Sequence, residues 1–234
     1  MADPRIEKWT RWIDGPIKAS VITMHHHRQI WRGVSEIIGE HGELPPSAYW
    51  EHYFDVYAET QASAVRRQAD LHRDVASLGK LLSEVSDDVK QLTPEWWIGL
   101  WSIDEGDDIE RAFARRQWDG VFGGEVGVHL DPAIPTADLD RLIEGSEAVK
   151  RHVDKHIAHS EDPGPEPKDP GETAPEDALK LSEVHDAIDV IGEVFTRYYP
   201  LFEAASMVTL EPQIQHDWLA PFRVPWIRGR ATRT

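Results

Sequence analysis

Three histidines and three fixed cations occur within ten residues, in the segment 150–159. Histidine titrates near neutral pH, so it can accept or donate a proton in catalysis. Arginine and lysine stay charged and bind phosphate oxygens. These residue types are the ones that phosphodiester cleavage without a metal requires. The predicted catalytic residues are His159, His156 and Arg151, with Lys155 and Lys150 for substrate phosphate and with Asp154 and His152 to orient or tune the histidines.

The same histidines also permit a metal interpretation. His152, His156 and His159 stand at positions i, i+4 and i+7, so two of them are close enough in helical angle to share a zinc ion. A mononuclear site would need a further ligand from elsewhere, and the candidates are His129, His185 and Asp162. Phosphodiester cleavage by histidines and fixed cations needs no metal and no cofactor, and we expect none.

A helix must present this segment. Apolar residues recur at three- and four-residue spacing from 139 to 157, which predicts one buried stripe. At about 100° per residue, the histidines and cations fan out from the edge of that stripe. The alternative is a purely structural role, in which the histidines flank a core helix and form hydrogen bonds to the loop that follows. The stripe residues are Leu139, Leu142, Ile143, Val149, Val153 and Ile157.

The rest of the chain has the same helical periodicity and almost no strand-like alternation. We expect the first helix to begin near Pro16 and the histidine-bearing helix to be capped by Thr136. Ser77 is a predicted N-cap, and Pro200 is expected to end the last long helix. The predicted fold is an all-α, up-and-down helical bundle. The last long helix has an apolar seam made of Leu181, Val184, Ile188, Ile191, Phe195 and Tyr198.

Two segments interrupt or follow this bundle. Residues 160–177 hold five prolines, two glycines and seven acids against one lysine, which predicts a loop. We therefore assign 1–210 to one helical domain containing that loop, and 211–234 to a C-terminal tail. The tail is aromatic and then arginine-rich, and we expect Trp218, Phe222, Pro225 and Trp226 to dock on the body.

Arg28 falls within an apolar helical stripe, where a cation is rarely buried without a partner. One interpretation is that its aliphatic stem lies along the surface and its head reaches water. The other interpretation is that Arg28 contacts a subunit interface or a substrate phosphate. Arg28 is therefore included among the predicted phosphate-binding residues. The aromatic residues of 49–57 are expected in the core rather than on a base-stacking surface.

Charge and composition exclude several classes of function. The formal net charge is −17, which argues against bulk electrostatic attraction to nucleic acid or anionic membrane. RNA would have to bind a local basic patch, and residues 150–159 form one. With no cysteine, disulfides and thiolate chemistry are excluded. No stretch predicts a membrane span or a signal peptide, so we expect a cytoplasmic protein.

Three segments, in this order, resemble the abortive-infection (AbiU-type) branch of the HEPN superfamily. Residues 74–82 are similar to the branch's D…SL..LL segment, and residues 154–162 to its RNKxxAHxD segment. Residues 218–226 resemble its closing W…F..PW segment. Taken together, the resemblance extends over most of the chain from about residue 45.

The resemblance implies a helical bundle that dimerises through the histidine-bearing helix and cleaves RNA without metal. The family motif is Arg, a polar residue and then His four to six positions on, which Arg151, His152 and His156 satisfy. Alignment through Ala158 and His159 instead puts the family histidine at His159 and leaves Val153 where the arginine would stand. Both registers remain open.

The resemblance also implies a biological setting. The resemblance to this branch implies a role in phage defence or in a toxin–antitoxin pair. The expected partners are a second copy of the chain in a homodimer, RNA and a cognate antitoxin. The alternative is a catalytically inactive HEPN-like helical dimer that binds a protein partner or a nucleotide.

Overall fold

The computed structural model describes residues 3–41, 48–101, 103, 106–123, 127–158, 179–205, 207, 209–214 and 217–220, with the side chains of 40, 41 and 156–158 left out of the description. No strand occurs in these ranges, so the all-α prediction is confirmed for them. The helices are α1 (Pro4–Trp12), α2 (Lys18–His41), α3 (Ala48–Gln68), α4 (Leu78–Asp87), α5 (Pro94–Leu100), α6 (Asp108–Trp118), α7 (Ala133–His152) and α8 (Leu181–Phe202). None of them combines the length and the apolar character needed to cross a bilayer.

The prediction that the first helix begins near Pro16 is wrong. Helix α1 starts at Pro4, and the side chain of Asp3 caps it by accepting a hydrogen bond from the backbone N–H of Arg5 at 2.8 Å. Pro16 instead lies in a π-helical segment, Ile13–Ile17, that joins α1 to α2. Gly15 leaves helical geometry there (φ −98°, ψ −105°), and proline has no N–H to continue the helical ladder.

Helix α4 matches its prediction. Ser77 has extended backbone angles, and its hydroxyl accepts from the N–H of Lys80 at 3.0 Å. Leu78, Leu81, Leu82 and Val85 are all fully buried. These four residues form the apolar side of α4, which packs against α7.

Helix α7 begins earlier than its sequence indicates. It starts at Ala133, so Thr136 lies inside the first turn, and its hydroxyl donates to the carbonyl of Pro132 at 2.8 Å. Asp131 supplies the oxygen for this end, because its carboxylate accepts from the N–H of Ala133 at 2.9 Å. Threonine is favoured at N-caps, but inside a helix its hydroxyl can instead donate a hydrogen bond to the carbonyl four residues earlier.

Helices α7 and α8 pack along each other and, with α2, α3 and α4, enclose the core. The predicted seam of α8 is confirmed for five of its six residues: Val184, Ile188, Ile191, Phe195 and Tyr198 are buried, while Leu181 is half-buried. Pro200 does not end α8, which continues to Phe202. The predicted loop at 160–177 lies outside the described residues.

The aromatic residues of α3 only partly match the core prediction. Tyr57 is buried and stacks on Trp31 of α2, with ring centroids 4.3 Å apart. Trp50, Tyr53 and Phe54 are half-buried, and Tyr49 is exposed. The stripe is therefore the rim of the α2–α3 contact.

The C-terminal tail reaches α2 in its described part. The ring of Trp218 lies 3.0 Å from where a β-carbon on Gly33 would stand. Glycine at this position therefore lets the tail approach the helix closely. Phe222, Pro225 and Trp226 lie outside the described residues.

Candidate functional site

The C-terminal part of α7 carries the predicted site. After His152 the chain continues as a π-helical segment, Val153–Ala158. Val149 and Val153 are buried and fix one side of this stretch in the core. Lys150, Arg151 and Lys155 are exposed on the opposite side. Cations here also oppose the negative end of the helix dipole.

These three cations have no ion pair with any residue that the structure describes. In a chain of net charge −17, many other described cations do have a carboxylate partner, such as Arg66, Arg141 and Arg197. Because Arg151 and Lys155 are four residues apart and both exposed, they lie along one side of the helix end. Among the described residues, this stretch therefore carries three cations against one carboxylate, Asp154, and is locally positive. We call Lys150, Arg151 and Lys155 the α7 cation patch.

Asp154 contacts α3 through an ion pair. Its Oδ1 accepts from the Nε of Arg66 at 3.0 Å, and the Nη1 of the same arginine contacts Asp70 Oδ2 at 3.0 Å. Arg66 thus joins the π-helical segment to the end of α3. The contact that the structure shows for Asp154 is this one, whereas the sequence assigned Asp154 to a histidine. Its role in orienting a histidine stays a prediction.

The structure describes a different part of each histidine of the segment. His152 is half-buried on the last turn of α7. The backbone of His156 is helical, but its side chain lies outside the described residues, as does the whole of His159. The two predicted catalytic histidines are therefore not placed, and both registers of the family motif stay open.

The prediction that Arg28 binds substrate phosphate is wrong, and so is the interpretation that its head reaches water. The Arg28 side chain is only 4 % exposed, and its Nη2 lies 2.7 Å from Asp189 Oδ1 of α8. Its Nη1 also donates to the carbonyl of His185 at 3.2 Å. The guanidinium joins α2 to α8 inside the protein, so it is not available to a phosphate at the α7 cation patch.

A group of polar side chains surrounds Arg28 that the sequence did not indicate. Arg28 Nη2 lies 3.2 Å from His25 Nδ1, and an arginine can only donate in such a contact. His25 therefore accepts at Nδ1 and is neutral. Burial and the adjacent Arg28 lower its pKa from 6.5 to about 4.

The group continues into α3. The hydroxyl of Tyr57 lies 2.9 Å from His185 Nε2, and the side-chain amide of Gln61 donates to the carbonyl of Met24 at 2.9 Å. Burial also lowers the pKa of His185. The signal for this group was the cation at position 28 within an apolar stripe, because such a cation requires a partner on a facing helix.

A buried carboxylate, that of Asp138, lies between α7 and α8. Both oxygens of Asp138 are 2.7 Å from Arg197 Nη1, and Tyr198 donates its hydroxyl to Asp138 Oδ2 at 3.0 Å. Burial and the adjacent carboxylate raise the pKa of Tyr198. Asp138 therefore joins α7 to α8.

The metal interpretation gains no support from the described residues. Among them, no three or more histidine and acidic side chains are grouped to hold a metal ion. Two of the histidines considered as extra ligands have other contacts: His129 Nδ1 is 2.8 Å from the carbonyl of Leu130, and His185 contacts Tyr57. Asp162 lies outside the described residues.

The chain matches no known protein family, no curated protein and no solved structure. The function is therefore argued from the geometry. The described part of the site is a positive helix end with a half-buried histidine. It is chemically suited to binding phosphate groups and to placing a histidine beside them.

Proposed function

We propose that this protein is a HEPN-type, metal-independent endoribonuclease whose active site is on the C-terminal part of α7. The observation that carries the proposal is the α7 cation patch, whose three exposed cations have no carboxylate partner among the described residues. In a strongly acidic chain, a positive cluster that has no carboxylate partner among the described residues is suited to an RNA backbone.

The chemistry assigns a role to each residue type. One histidine takes the proton of the ribose 2′-hydroxyl as its oxygen attacks phosphorus. The phosphorus–O5′ bond breaks, and a second protonated histidine gives its proton to the leaving oxygen. His159 and His156 are the residues for these steps. Arg151, Lys150 and Lys155 stabilise the extra negative charge on the phosphorane-like transition state.

The exposed position of the patch favours a site made by two chains. Arg151 lies on the side of α7 away from the buried Val149 and Val153, so it faces outward from its own core. A second copy packed against this side would complete a cleft with two sets of histidines. The proposed enzyme is thus a homodimer, and we place it in the cytoplasm. Its proposed role is phage defence, or that of a toxin restrained by a cognate antitoxin.

The second candidate function is binding without catalysis. The ion pair between Arg66 and Asp154 favours it, because that carboxylate is held by α3 and is less available to tune a histidine. In this case the same cations, on a helical dimer, would bind a protein partner or a nucleotide.

The test is cleavage of a single-stranded RNA labelled at its 5′ end, in excess EDTA, by purified full-length protein. We expect cleavage that leaves a 2′,3′-cyclic phosphate, is abolished in His159→Ala and falls at least tenfold in Arg151→Ala. Lys90→Ala removes an exposed cation outside the patch and serves as the matched control.

Each outcome separates the two functions. Cleavage that continues at the same rate in His159→Ala and Arg151→Ala would come from a contaminant and would overturn the proposal. Intact RNA that still binds wild type, but not Arg151→Ala, would support the binding function. If His159→Ala cleaves RNA and His156→Ala does not, the register through Arg151, His152 and His156 is the active one.

A further inference from the structure

A cavity of about 980 Å³ lies between α5, α6, the π-helical segment Asp119–Gly123 and α8. This volume is typical of sites for small organic molecules. The α7 cation patch does not line it, so the cavity is separate from the proposed ribonuclease site. Nothing in the proposed RNA chemistry uses it.

The walls of the cavity are aromatic and largely preformed. Trp97 is buried, and its indole N–H donates to the carbonyl of Pro200 at 2.9 Å. Its ring meets Trp101 edge to face, with centroids 5.6 Å apart. Phe122 also lines the cavity and is buried, and its backbone belongs to the π-helical segment. These rings form a fixed apolar surface that needs no rearrangement to accept a flat molecule.

An exposed ring belongs to the same cavity. The side chain of Phe113 is 59 % exposed on α6, although α6 is otherwise mostly polar. The indole N–H of Trp101 is buried, and no described residue accepts its hydrogen bond. Phe113 and Trp101 both line the cavity, and a bound molecule would cover the exposed ring of Phe113.

The charged residues of the lining favour an anion. Arg116 is exposed and has no ion pair with a described residue. Arg197 uses Nη1 to hold Asp138 from the far side, while no described residue accepts from its Nε or Nη2. Glu110 is the one acid among the described lining residues. Arg197 is already neutralised by Asp138, so the described lining offers an anion the charge of Arg116 and the guanidinium N–H groups of Arg197 that no described residue accepts from.

We infer that this cavity binds an amphipathic organic anion, with an apolar body against the aromatic lining and one carboxylate, sulfonate or phosphate group at Arg116 and Arg197. The apolar body gains free energy by leaving water. The anionic group is fixed by charge-assisted hydrogen bonds from the guanidinium groups. The structure thus provides a second site, for a small molecule, on the same fold.

The test uses anilinonaphthalene sulfonate as the probe, with full-length wild-type protein, and phenylnaphthylamine as the matched probe without the sulfonate. We expect saturable binding of one sulfonate probe per chain by isothermal titration calorimetry, at least threefold tighter than the uncharged probe. Arg116→Gln should weaken the sulfonate probe at least threefold and leave the uncharged probe unchanged.

A blocking variant separates this cavity from other apolar surfaces. A β-carbon on Gly120 would meet no atom within 4 Å, and Gly120 lines the cavity, so Gly120→Phe should fill it without disturbing the fold. We expect binding to fall at least tenfold. Gly99→Phe is the matched control, since Gly99 has equal space but does not line the cavity. Circular dichroism checks that both variants fold.

Three outcomes would overturn the inference. The first is equal binding of the two probes, and the second is unchanged binding in folded Gly120→Phe. The third is a wild-type dimer, seen by sedimentation velocity, that Gly120→Phe dissociates and that binds no probe, because a second copy would then occupy the cavity. Loss of RNA cleavage in the His159→Ala variant bears on none of these, so the two proposals fail separately.

Discussion

Arg28 of α2 and Asp189 of α8 form an ion pair of 2.7 Å in which the arginine side chain is 4 % exposed and the aspartate 52 %. The cation is thus inside the protein and its counter-charge is at the surface. Burying a guanidinium is costly unless its charge and its N–H groups are satisfied. Asp189, the carbonyl of His185 and His25 Nδ1 supply that compensation.

Arg28→Met should therefore destabilise the protein by about 2 kcal/mol or more, because it leaves buried acceptors without a donor. Urea unfolding followed by circular dichroism measures this. Arg32→Met is the matched control: Arg32 lies one turn along on the same helix, is half exposed and contacts Glu211 at 3.3 Å. We expect its loss to cost less than about 1 kcal/mol. Equal effects of the two substitutions would contradict the burial argument.

Stability should depend on pH through His25. Its pKa is about 4 in the folded protein against 6.5 ordinarily, so between these values the unfolded chain binds more protons. The contribution of neutral His25 to the free energy of unfolding is fully present above pH 6.5. It is lost as the pH falls toward 4, by at most about 1.4 kcal/mol per pH unit. The free energy of unfolding, measured between pH 4.5 and 7.5, should have a smaller pH slope in His25→Gln. The lowered pKa of His185 acts in the same direction, so some slope should remain. An unchanged slope would show that His25 does not titrate in this way.

Asp138→Ala should cost about 2–4 kcal/mol, because it leaves the buried hydroxyl of Tyr198 and part of the Arg197 guanidinium unpaired. Asp140→Ala removes an exposed carboxylate two residues away on the same helix. It should change the free energy of unfolding by no more than about 0.5 kcal/mol. Thermal and urea unfolding of the two variants, side by side, test whether the α7–α8 contact depends on this carboxylate.

Two glycines should respond in opposite directions to alanine. A β-carbon on Gly192 would stand 2.6 Å from His25 Nε2 and 2.9 Å from Leu210 Cδ1, so Gly192→Ala should destabilise by about 1–3 kcal/mol. Gly39 of α2 has no atom within 4 Å of such a carbon. Gly39→Ala should stabilise by about 0.5–1 kcal/mol, since alanine favours the helix. A stabilising effect of Gly192→Ala would mean that His25 does not pack against α8 as described.

The α7 cation patch should set the salt dependence of RNA binding. Three phosphate contacts to a single strand give a slope of log Kd against log salt of about 2, and each lost contact lowers it by about 0.7. Fluorescence anisotropy with labelled RNA, in the His159→Ala background to prevent cleavage, measures this slope. Adding Lys155→Gln should lower it by about 0.7, and Lys90→Gln should leave it unchanged. A slope that Lys155→Gln does not alter would place the RNA elsewhere.

Local sequence signals predicted much of the fold. Ser77 was recognised as a cap because a hydroxyl before an apolar stripe is a local signal, and the seam of α8 was recognised because its periodicity is local too. Helix α1 was missed because Pro16 is typical of a helix start, while the structure places it in a kink beside Gly15. Thr136 failed as a cap because Asp131 and Pro132 start the helix one turn earlier.

The sequence by itself determined an all-α chain, the positions of most helices and the cluster of cations and histidines near the end of α7. These follow from residue spacing and charge, which need no knowledge of other elements. Only the tertiary structure decided the partners of the charged residues. Arg28 was assigned to phosphate and lies on Asp189, while Asp154 was assigned to a histidine and lies on Arg66. Spacing along one helix fixes which side a residue faces, but its partner is on another helix, and its position there depends on how the helices pack.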